Sequence, residues 1–478
     1  MHTHTQQRPA AVLVSVQLPG VDPVQHMADL AELGRLVETL GYDVVATISQ
    51  RRAALGAAAV LGRGKLRELA AYTGGEGEIG SSAPQRKDKA RLRWEAEQRE
   101  AEEGGEGDLD EGEGEVDEGE AYEGEEGDEE GAEGVPVADR QATLVAIDHD
   151  VSPSQLRNLE RATGTQVLDR TGVIIEIFHR HARSREAKLQ VEIARLSYVA
   201  PRLRESPGTS ERQRGKGAGE SALELDRRRI RDRIAELREE LAAVQRDHSV
   251  RRTLRRDARR VALVGYTNAG KSSLMRALTA SEVLVADKLF ATLDTTVRAL
   301  QPEAKPRILV SDTVGFIKKL PHDLVASFRS TLDEALEASL LLFVADVSDP
   351  MYEEQLTVTR SVLGEIGAVD IPSLLLLNKV DRLTPLQREA LQQEHPEAVM
   401  LSAKDPADVA ALRDRIVAFF EASMVEGELV LPYGKQSLIG EIYENARVME
   451  ETYDEQGGKF RLRAHPTALD RLRSLLLK

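Results

Sequence analysis

Short apolar runs alternate with segments of helical periodicity along roughly the first third of the chain. The runs are rich in aliphatic and β-branched residues, whereas the segments repeat their apolar positions every three or four residues. The predicted strands are Ala11–Leu18, Tyr42–Ser49, Ala142–Asp148 and Thr165–Leu168, and the predicted helices are Ala28–Leu40, Gly64–Tyr72 and Ser152–Thr163. Strands that alternate with helices predict a small N-terminal α/β domain, residues 1–183, with a parallel sheet.

A different pattern begins near residue 184, where long amphipathic and charged stretches replace the short runs. Ala187–Leu203 and Ser221–Arg260 predict two long antiparallel helices, and Pro207–Gly219 predicts the loop between them. The hairpin, residues 184–258, is expected to be either a solvated element crossed by salt bridges or a surface that contacts nucleic acid.

Basic residues are interleaved with glycines in that predicted loop. Arg212 precedes the run RGKGAG, which contains Arg214 and Lys216. Residues 202–260 hold 18 Lys or Arg and 11 Asp or Glu, a net charge of +7. Because glycines allow close approach of the backbone to phosphates, the loop favours contact with nucleic acid.

One acidic block accounts for the net charge of −17. Residues 100–133 contain 19 Asp or Glu and no Lys or Arg, so the rest of the chain carries a net charge of +2. A Glu/Gly-rich run buries too little apolar surface to fold. Residues 75–139 are therefore expected to be a disordered insertion in a surface loop.

A phosphate-binding loop is predicted at residues 265–272, GYTNAGKS. It lies between the apolar strand Arg260–Val264 and the helical run Ser273–Leu278, which is the setting that the GxxxxGK[ST] motif requires. Backbone N–H groups would wrap the phosphates, Lys271 would reach the β and γ phosphates, and the Ser272 hydroxyl would ligate Mg²⁺.

The remaining pieces of a GTP site follow in order. A strand at Arg307–Ser311 leads into Asp312, expected to hold Mg²⁺ through water, and Gly315, whose N–H would sense the γ-phosphate. Further buried strands are predicted at Leu340–Val344 and Ser373–Leu377.

The residues after that last strand, Asn378-Lys379-Val380-Asp381, favour GTP over ATP. The Asp381 carboxylate can accept hydrogen bonds from both N1–H and the amino group of guanine, and adenine has no such pair of donors. Ser402, Ala403 and Lys404 would form the last loop over the base.

The region 259–425 resembles a translation-factor-type GTPase domain, with switch I expected at Ser281–Leu300. Within it FATLDTT, Phe290–Thr296, resembles the FATLDxT segment of the HflX family of ribosome-associated GTPases. The runs LRNLE, VLDRT, KLQVEIARL and ELDRRR are similar to this family's N-terminal half, and residues 429–478 look like the small C-terminal domain of some members. Lys216, Ala218 and the acidic tract depart from the family pattern.

The resemblance implies an α/β architecture in four parts. An N-terminal α/β domain and the helical hairpin are followed by a P-loop GTPase domain, 259–425, with a mixed, mostly parallel sheet, and by a small α+β domain, 426–478. Thr296 would be the second protein ligand of Mg²⁺, although Thr295 stands where the family often has proline and could be the ligand instead.

The predicted site residues fall in these motifs. The catalytic residues are Lys271, Thr296 and Gly315, and the metal ligands are Ser272 and Thr296. The residues predicted to bind the nucleotide are Gly265, Tyr266, Thr267, Asn268, Ala269, Gly270, Lys271, Ser272, Ser273, Asp312, Thr313, Val314, Gly315, Asn378, Lys379, Asp381, Ser402, Ala403 and Lys404.

Two positions bear on catalysis. Phe316 stands where many GTPases have a glutamine that positions the attacking water, so hydrolysis is expected to be slow until a partner completes the site. Asn268 either ligates a potassium ion beside the phosphates or only shapes the turn.

The resemblance implies binding to the large ribosomal subunit and its RNA, and splitting of stalled ribosomes under stress. The alternative is a GTP-dependent factor for RNA modification or ribosome assembly without splitting, while Asn378–Asp381 argues against a metabolic P-loop kinase. The absence of cysteine excludes disulfides and thiolate metal sites. No apolar run suggests a membrane span, and the expectation is a cytoplasmic monomer, with peripheral membrane association left open.

Overall fold

The computed structural model of the chain describes residues 8–56, 58–79, 140–203, 222–253, 259–280, 289–290, 296–320 and 335–477. The acidic tract, the basic residues Arg212, Arg214 and Lys216, most of the expected switch I and Thr295 lie outside these ranges. No helix in the described ranges is both long and apolar enough to cross a membrane.

The N-terminal sheet is parallel throughout, as predicted. Its strands are β1 (Ala10–Gln17), β2 (Asp43–Arg51), β3 (Ala142–Ile147) and β4 (Gln166–Asp169), in the order β2-β1-β3-β4. Strand β3 pairs with β1 although the acidic tract separates them in sequence. Close to the ends of that tract, the Gln141 side chain donates to the Thr73 carbonyl at 2.6 Å. The prediction that the segments before and after the acidic tract form one parallel sheet is confirmed.

In the described part of the N-terminal region, four helices flank this sheet. They are α1 (Pro23–Thr39), α2 (Arg63–Thr73), α3 (Pro153–Thr163) and α4 (Arg170–His181). The Ser152 side chain caps the start of α3 by accepting from the Gln155 N–H.

Helix α1 begins five residues before the predicted start, and α4 was not predicted. The Asp22 side chain accepts from the N–H groups of Val24 and Gln25, and Pro23 occupies the first helical position. Exposed Val24 and Met27 interrupt the amphipathic pattern and hide this start. In α4 five of the six residues from Val173 to Phe178 are apolar and buried. The sequence therefore lacks the alternation of apolar and polar faces by which a helix is recognised.

The predicted helical hairpin has unequal arms. Helices α5 (Arg185–Val199) and α6 (Ala222–Thr253) pack through Leu189, Ile193 and Leu237. The first helix has 15 residues and continues into a 3₁₀ segment that ends at Arg202, close to the predicted range Ala187–Leu203. Helix α6 is described as far as Thr253, and Arg259 and Arg260, which the prediction included in it, belong to the following strand instead.

The central sheet contains β5 (Arg259–Gly265), β6 (Thr296–Ala299), β7 (Ile308–Asp312), β8 (Leu340–Asp346), β9 (Ser373–Asn378) and β10 (Val399–Leu401). Its order is β10-β9-β8-β5-β7-β6, and only the edge strand β6 is antiparallel to its neighbour. The described helices of this region are α7 (Lys271–Thr279), α8 (Tyr352–Glu365), α9 (Pro385–Glu394) and α10 (Pro406–Ala422). The mixed, mostly parallel sheet expected from the sequence is confirmed.

The C-terminal part is a small α+β unit. Strands β11 (Val425–Leu431), β12 (Ala446–Asp454) and β13 (Gly457–Ala464) form an antiparallel sheet in the order β11-β13-β12. Helices α11 (Ile439–Asn445) and α12 (Pro466–Leu477) complete its core.

One apolar cluster joins the N-terminal sheet to the central sheet. It includes Phe178 of α4 together with Phe290, and their ring centroids lie 4.6 Å apart. Tyr266 and Phe316 belong to the same cluster. Because these residues are buried, the two parts share a dry contact beside the phosphate-binding loop.

Candidate nucleotide-binding site

The phosphate-binding loop follows strand β5 and ends at the start of helix α7. Gly265 and Gly270 have φ angles of 153° and 99°, a backbone conformation that favours glycine. A Cβ at Gly265 would lie 2.2 Å from the Val344 carbonyl oxygen, and one at Gly270 would lie 2.2 Å from the Asn378 amide nitrogen. Both positions therefore require glycine, because a Cβ would collide with a neighbour and because the backbone conformation is unfavourable for other residues.

The buried Lys271 side chain lies along the loop. Its Nζ donates to the carbonyl oxygens of Gly265 at 3.0 Å and Tyr266 at 2.7 Å. Burial lowers the pKa of Lys271 to about 8, and the nearby Asp312 carboxylate opposes that shift. A phosphate group would supply the negative charge that stabilises the protonated lysine.

Hard oxygen ligands meet beside Lys271. The Ser272 hydroxyl donates to Asp312 Oδ2 at 2.7 Å. Thr296 is the register partner of Asp312 in the antiparallel pair of β6 and β7, which places it next to this pair. Hydroxyl and carboxylate oxygens are the ligands that Mg²⁺ prefers, so the donor set fits that ion. Thr295 lies outside the described residues.

Gly315 packs closely against the phosphate-binding loop. A Cβ at this position would lie 2.9 Å from Thr267 Cα and 3.0 Å from Lys271 Nζ, so a side chain would collide with the loop. Thr267 Oγ1 is buried and has no hydrogen-bond partner among the described residues. A phosphate oxygen would satisfy this hydroxyl.

Phe316 is a packing residue in this structure. Its ring is buried in the apolar cluster that joins the two parts of the molecule. Its N–H donates to the Gly265 carbonyl at 3.1 Å, and its carbonyl accepts from the Thr267 N–H at 2.8 Å. The segment that follows β7, residues 313–319, which we call switch II, is thus hydrogen-bonded to the phosphate-binding loop through backbone groups. The Phe316 ring offers nothing that could orient water.

The base-binding residues come together from strands β9 and β10. The Asn378 amide donates to the Ala269 carbonyl at 2.8 Å and accepts from the Ala403 N–H at 3.0 Å. The Ser402 hydroxyl donates to Asp381 at 2.8 Å. This hydrogen bond is the main cause of the lowered pKa of Asp381, which keeps the carboxylate ionised and able to accept hydrogen bonds.

Three further predicted residues lie in the loops of this site. Lys379 pairs with Asp346 at 2.6 Å, and its backbone has a φ of 66°. Asn268 has a φ of 60°, a conformation that asparagine tolerates better than most residues. Lys404 lies 3.8 Å from Asp381.

The Tyr266 side chain points away from the phosphates toward the N-terminal sheet. Its hydroxyl donates to the Glu32 carboxylate of α1 at 3.0 Å and accepts from the Lys318 N–H at 2.7 Å. Burial and the Glu32 charge raise the pKa of Tyr266, so the phenol stays protonated. One hydroxyl therefore links the phosphate-binding loop, switch II and helix α1.

Buried ion pairs continue this link. Arg170 contacts Glu32 at 2.8 Å and Asp148 at 2.7 Å, and all three side chains are buried. Lys319 of switch II contacts Asp148 at 3.5 Å. The Lys318 side chain reaches Asp29 of α1 at 3.3 Å and Glu354 of α8 at 2.7 Å. Sequence reasoning missed this network, because nothing in the spacing of these residues brings them together.

Family comparisons match most of the chain. A family model described as GTP-binding GTPase N-terminal matches residues 27–78 and 129–179, and one described as GTP-binding GTPase Middle Region matches 181–255. A model described as 50S ribosome-binding GTPase matches 260–379. A protein from Gluconacetobacter diazotrophicus named GTPase HflX is 64% identical over 468 residues, 98% of each chain.

The chain belongs to the HflX family of GTPases. Proteins of the same name from Spirochaeta thermophila and Escherichia coli are 44% and 40% identical to this chain. Each match covers 66% of this chain, and it covers 79% of the Spirochaeta thermophila protein and 76% of the Escherichia coli protein. As an HflX-family member with a GTPase domain, the chain binds guanine nucleotide and hydrolyses GTP. The family resemblance expected from the sequence is confirmed.

Two solved structures of GTP-binding proteins are weakly similar to this chain. The crystal structure of SsGBP with GDP has a TM-score of 0.44 and 22% identity, and covers 86% of this chain and 98% of its own. The GDP complex of a GTP-binding protein from Sulfolobus solfataricus has a TM-score of 0.42 and 21% identity, with coverage of 86% and 99%.

Proposed function

We propose that this HflX-family GTPase binds the large ribosomal subunit through its RNA and couples GTP hydrolysis to the splitting of stalled ribosomes under stress. The 50S ribosome-binding family model over residues 260–379 supports the partner. The net charge of +7 across residues 202–260 supports contact with RNA phosphates. The chain acts in this proposal as a nucleotide-dependent switch.

The link from Lys318 through Tyr266 to Glu32 carries the coupling part of the proposal. The γ-phosphate would be sensed at the Gly315 N–H, three residues before Lys318. Because the Lys318 N–H is bonded to the Tyr266 hydroxyl, a displacement of switch II strains a hydrogen bond that reaches α1. A change of nucleotide state would thereby be transmitted to the N-terminal half, which is continuous with the basic hairpin.

Catalysis in this proposal rests on charge neutralisation around the phosphates. Lys271 would move from the carbonyls of Gly265 and Tyr266 to the β and γ phosphates. Ser272 and Thr296, with Asp312 behind them, would hold Mg²⁺, which offsets negative charge on the transferred phosphate. Gly315 would donate its N–H to a γ-phosphate oxygen.

The attacking water must be oriented by a hydrogen-bonding group, and the side chain at residue 316 has none. Phe316 is buried and has neither donor nor acceptor on its side chain. We therefore propose that the ribosome orders or supplies the missing element, so that hydrolysis by the free protein is slow.

The test compares GTP hydrolysis with and without purified large subunits and, in parallel, measures separation of purified 70S particles by sedimentation. The expected result is strong stimulation by subunits and splitting in the presence of GTP. Stimulation without splitting would favour a ribosome assembly or RNA modification factor. A fast rate in the free protein that subunits barely change would reject ribosome-dependent activation.

The hairpin loop is tested by replacing Arg212, Arg214 and Lys216 together with Ala. Subunit binding should weaken, and the slope of log affinity against log salt should flatten by about two to three, at about 0.9 or less per phosphate contact. A matched triple change of Arg63, Lys65 and Arg67 on α2 removes the same charge elsewhere. If both variants bind subunits like the wild type at every salt concentration, RNA binding lies on another surface.

A further inference from the structure

Strands β8 and β9 end side by side at the base-binding loop, residues 378–381. In their parallel pairing Asp346 is the register partner of Asn378. The two strand ends are also joined through the backbone, because the Val347 N–H donates to the Asn378 carbonyl at 3.1 Å. The Asn378 amide in turn donates to the Ala269 carbonyl of the phosphate-binding loop. Asp346 therefore lies beside the residue that joins the two nucleotide-binding loops.

Both carboxylate oxygens of Asp346 accept hydrogen bonds. The Oδ1 atom accepts from the Ser348 N–H at 3.0 Å and from the Ser348 hydroxyl at 2.6 Å. The Oδ2 atom accepts from the Lys379 ammonium group at 2.6 Å. The side chains of Lys379 and Asp346 are 17% and 14% exposed, so solvent ions screen this pair less than a pair on the open surface. One oxygen thus fixes the carboxylate to its own turn, and the other binds the lysine.

The backbone of Lys379 is set by its own loop. Its φ angle of 66° lies in the left-handed region, and its carbonyl accepts from the Arg382 N–H at 3.0 Å. The side chain, by contrast, is a flexible four-carbon chain whose course depends on what binds its ammonium group. In this structure the ammonium group is bound by Asp346.

An ordered lysine stem is suited to contact a purine ring. Lys379 stands between Asn378 and Asp381 in the loop that is predicted to bind guanine. The methylene groups of a lysine can cover an apolar surface while the ammonium group keeps its polar partner. A stem that is ordered before the base binds loses less conformational freedom on binding, and the affinity is higher for that reason.

We propose that Asp346 is a positioning residue for the guanine base. It binds the Lys379 ammonium group so that the methylene stem of this lysine forms one wall of the base site before the nucleotide enters. Asp346 itself does not touch the nucleotide, in contrast to Asp381, whose predicted partner is the base. The proposal rests on guanine-nucleotide binding and is independent of the ribosome.

The test uses the purified full-length protein without ribosomes and measures GDP binding by calorimetry. Asp346→Ala should weaken GDP binding about tenfold, as expected for the loss of one hydrogen bond between charged groups. Lys379→Ala should weaken it at least as much. The double variant should bind GDP no more weakly than Lys379→Ala alone, because Asp346 acts through the lysine. Asp346→Asn should lose less than Asp346→Ala, since an amide oxygen can still accept from the ammonium group.

Basal GTP hydrolysis gives a second readout. When chemistry is slow, KM approximates the dissociation constant, so KM for GTP should rise about tenfold in Asp346→Ala. The value of kcat at saturating GTP should stay within about twofold, because the ligands of the phosphates and of Mg²⁺ are unchanged. A residue that only supports the packing of the strands would not give this separation of KM from kcat.

Asp454→Ala is the matched control. Asp454 also binds a lysine with one oxygen, Lys459 at 2.7 Å, and accepts from a backbone N–H, that of Gln456, with the other. This variant should bind GDP like the wild type, and all variants are compared at a temperature where each is folded. Wild-type GDP affinity in Asp346→Ala would overturn the proposal. So would additive losses in the double variant, or a fall in kcat without a rise in KM, since either result assigns Asp346 a role that does not pass through Lys379.

Discussion

The Tyr266 hydroxyl donates a hydrogen bond to the Glu32 carboxylate at 3.0 Å and accepts one from the Lys318 N–H at 2.7 Å. A residue inside the phosphate-binding loop is thus bonded to the N-terminal sheet's first helix and to switch II through one oxygen atom. The carboxylate is in turn paired with the buried Arg170. The contact between the two domains is therefore polar at its centre and apolar around Phe178 and Phe290.

Tyr266→Phe should reduce the stability of the folded chain. The substitution keeps the ring but leaves the Lys318 N–H without its acceptor and removes one donor from Glu32. Loss of a buried hydrogen bond to a charged group costs about 1.5–3 kcal/mol. The measurement is denaturant unfolding of the full-length protein, followed by fluorescence and circular dichroism.

Tyr433→Phe is the control for that change. Its hydroxyl donates to the Asp454 carbonyl at 2.9 Å on the surface of the C-terminal unit, where water can replace the lost bond. Its effect should stay within about 0.5 kcal/mol. Equal unfolding free energies for Tyr266→Phe and the wild type would contradict the role assigned to the buried hydroxyl.

Asp381→Asn should shift nucleotide preference from guanine toward xanthine. The Asn amide can donate to the carbonyl that xanthine carries where guanine has an amino group, whereas the wild-type carboxylate accepts from that amino group. Binding of GDP and of xanthosine diphosphate, measured side by side, checks this. Asp370→Asn is a suitable control at an exposed turn. Unchanged GDP affinity in Asp381→Asn would show that the base is recognised elsewhere.

Asn268 gives a prediction about monovalent ions. If its side chain ligates potassium beside the phosphates, GTP hydrolysis should be faster in potassium than in sodium buffer, because the ion stands in for an arginine finger. Asn268→Gly keeps the φ of 60° accessible and removes the amide, so it should abolish the difference. Equal wild-type rates in the two salts would leave Asn268 as a turn residue.

Phe316→Ala should affect stability and ribosome-stimulated turnover more than basal hydrolysis. Removing a buried phenylalanine ring costs about 3–5 kcal/mol, and the loosened switch II should respond less well to the large subunit. The basal rate should stay within a few-fold, since the ring orients no water. Ser272→Ala and Asp312→Ala should lower both the basal and the stimulated rate.

Phe419→Ala, at a half-exposed position on α10, controls for the general loss of an aromatic side chain. Rates are compared at a temperature where every variant is folded. A collapse of basal hydrolysis in Phe316→Ala with intact GTP binding would mean that the ring takes part in catalysis.

Much of the nucleotide site could be predicted because its chemistry is local. Gly265, Gly270, Lys271 and Ser272 lie in or directly after one short loop between a strand and a helix, and their order in the sequence fixes that geometry. Apolar runs likewise predicted the strands of the N-terminal sheet and strands β5, β7, β8 and β9 of the central sheet, whereas the short strands β6 and β10 were not predicted. The start of α1 and the whole of α4 were missed, because exposed Val24 and the buried run around Ile175 have no clear amphipathic period.

The sequence alone therefore determined the family, the GTP-binding motifs and the fold class. Only the tertiary structure decided that the Tyr266 side chain points toward helix α1 and that Glu32 and Arg170 are buried beside it. The physical reason is sequence distance. Contacts between residues more than two hundred positions apart depend on how two sheets pack, and no local periodicity or spacing encodes that packing.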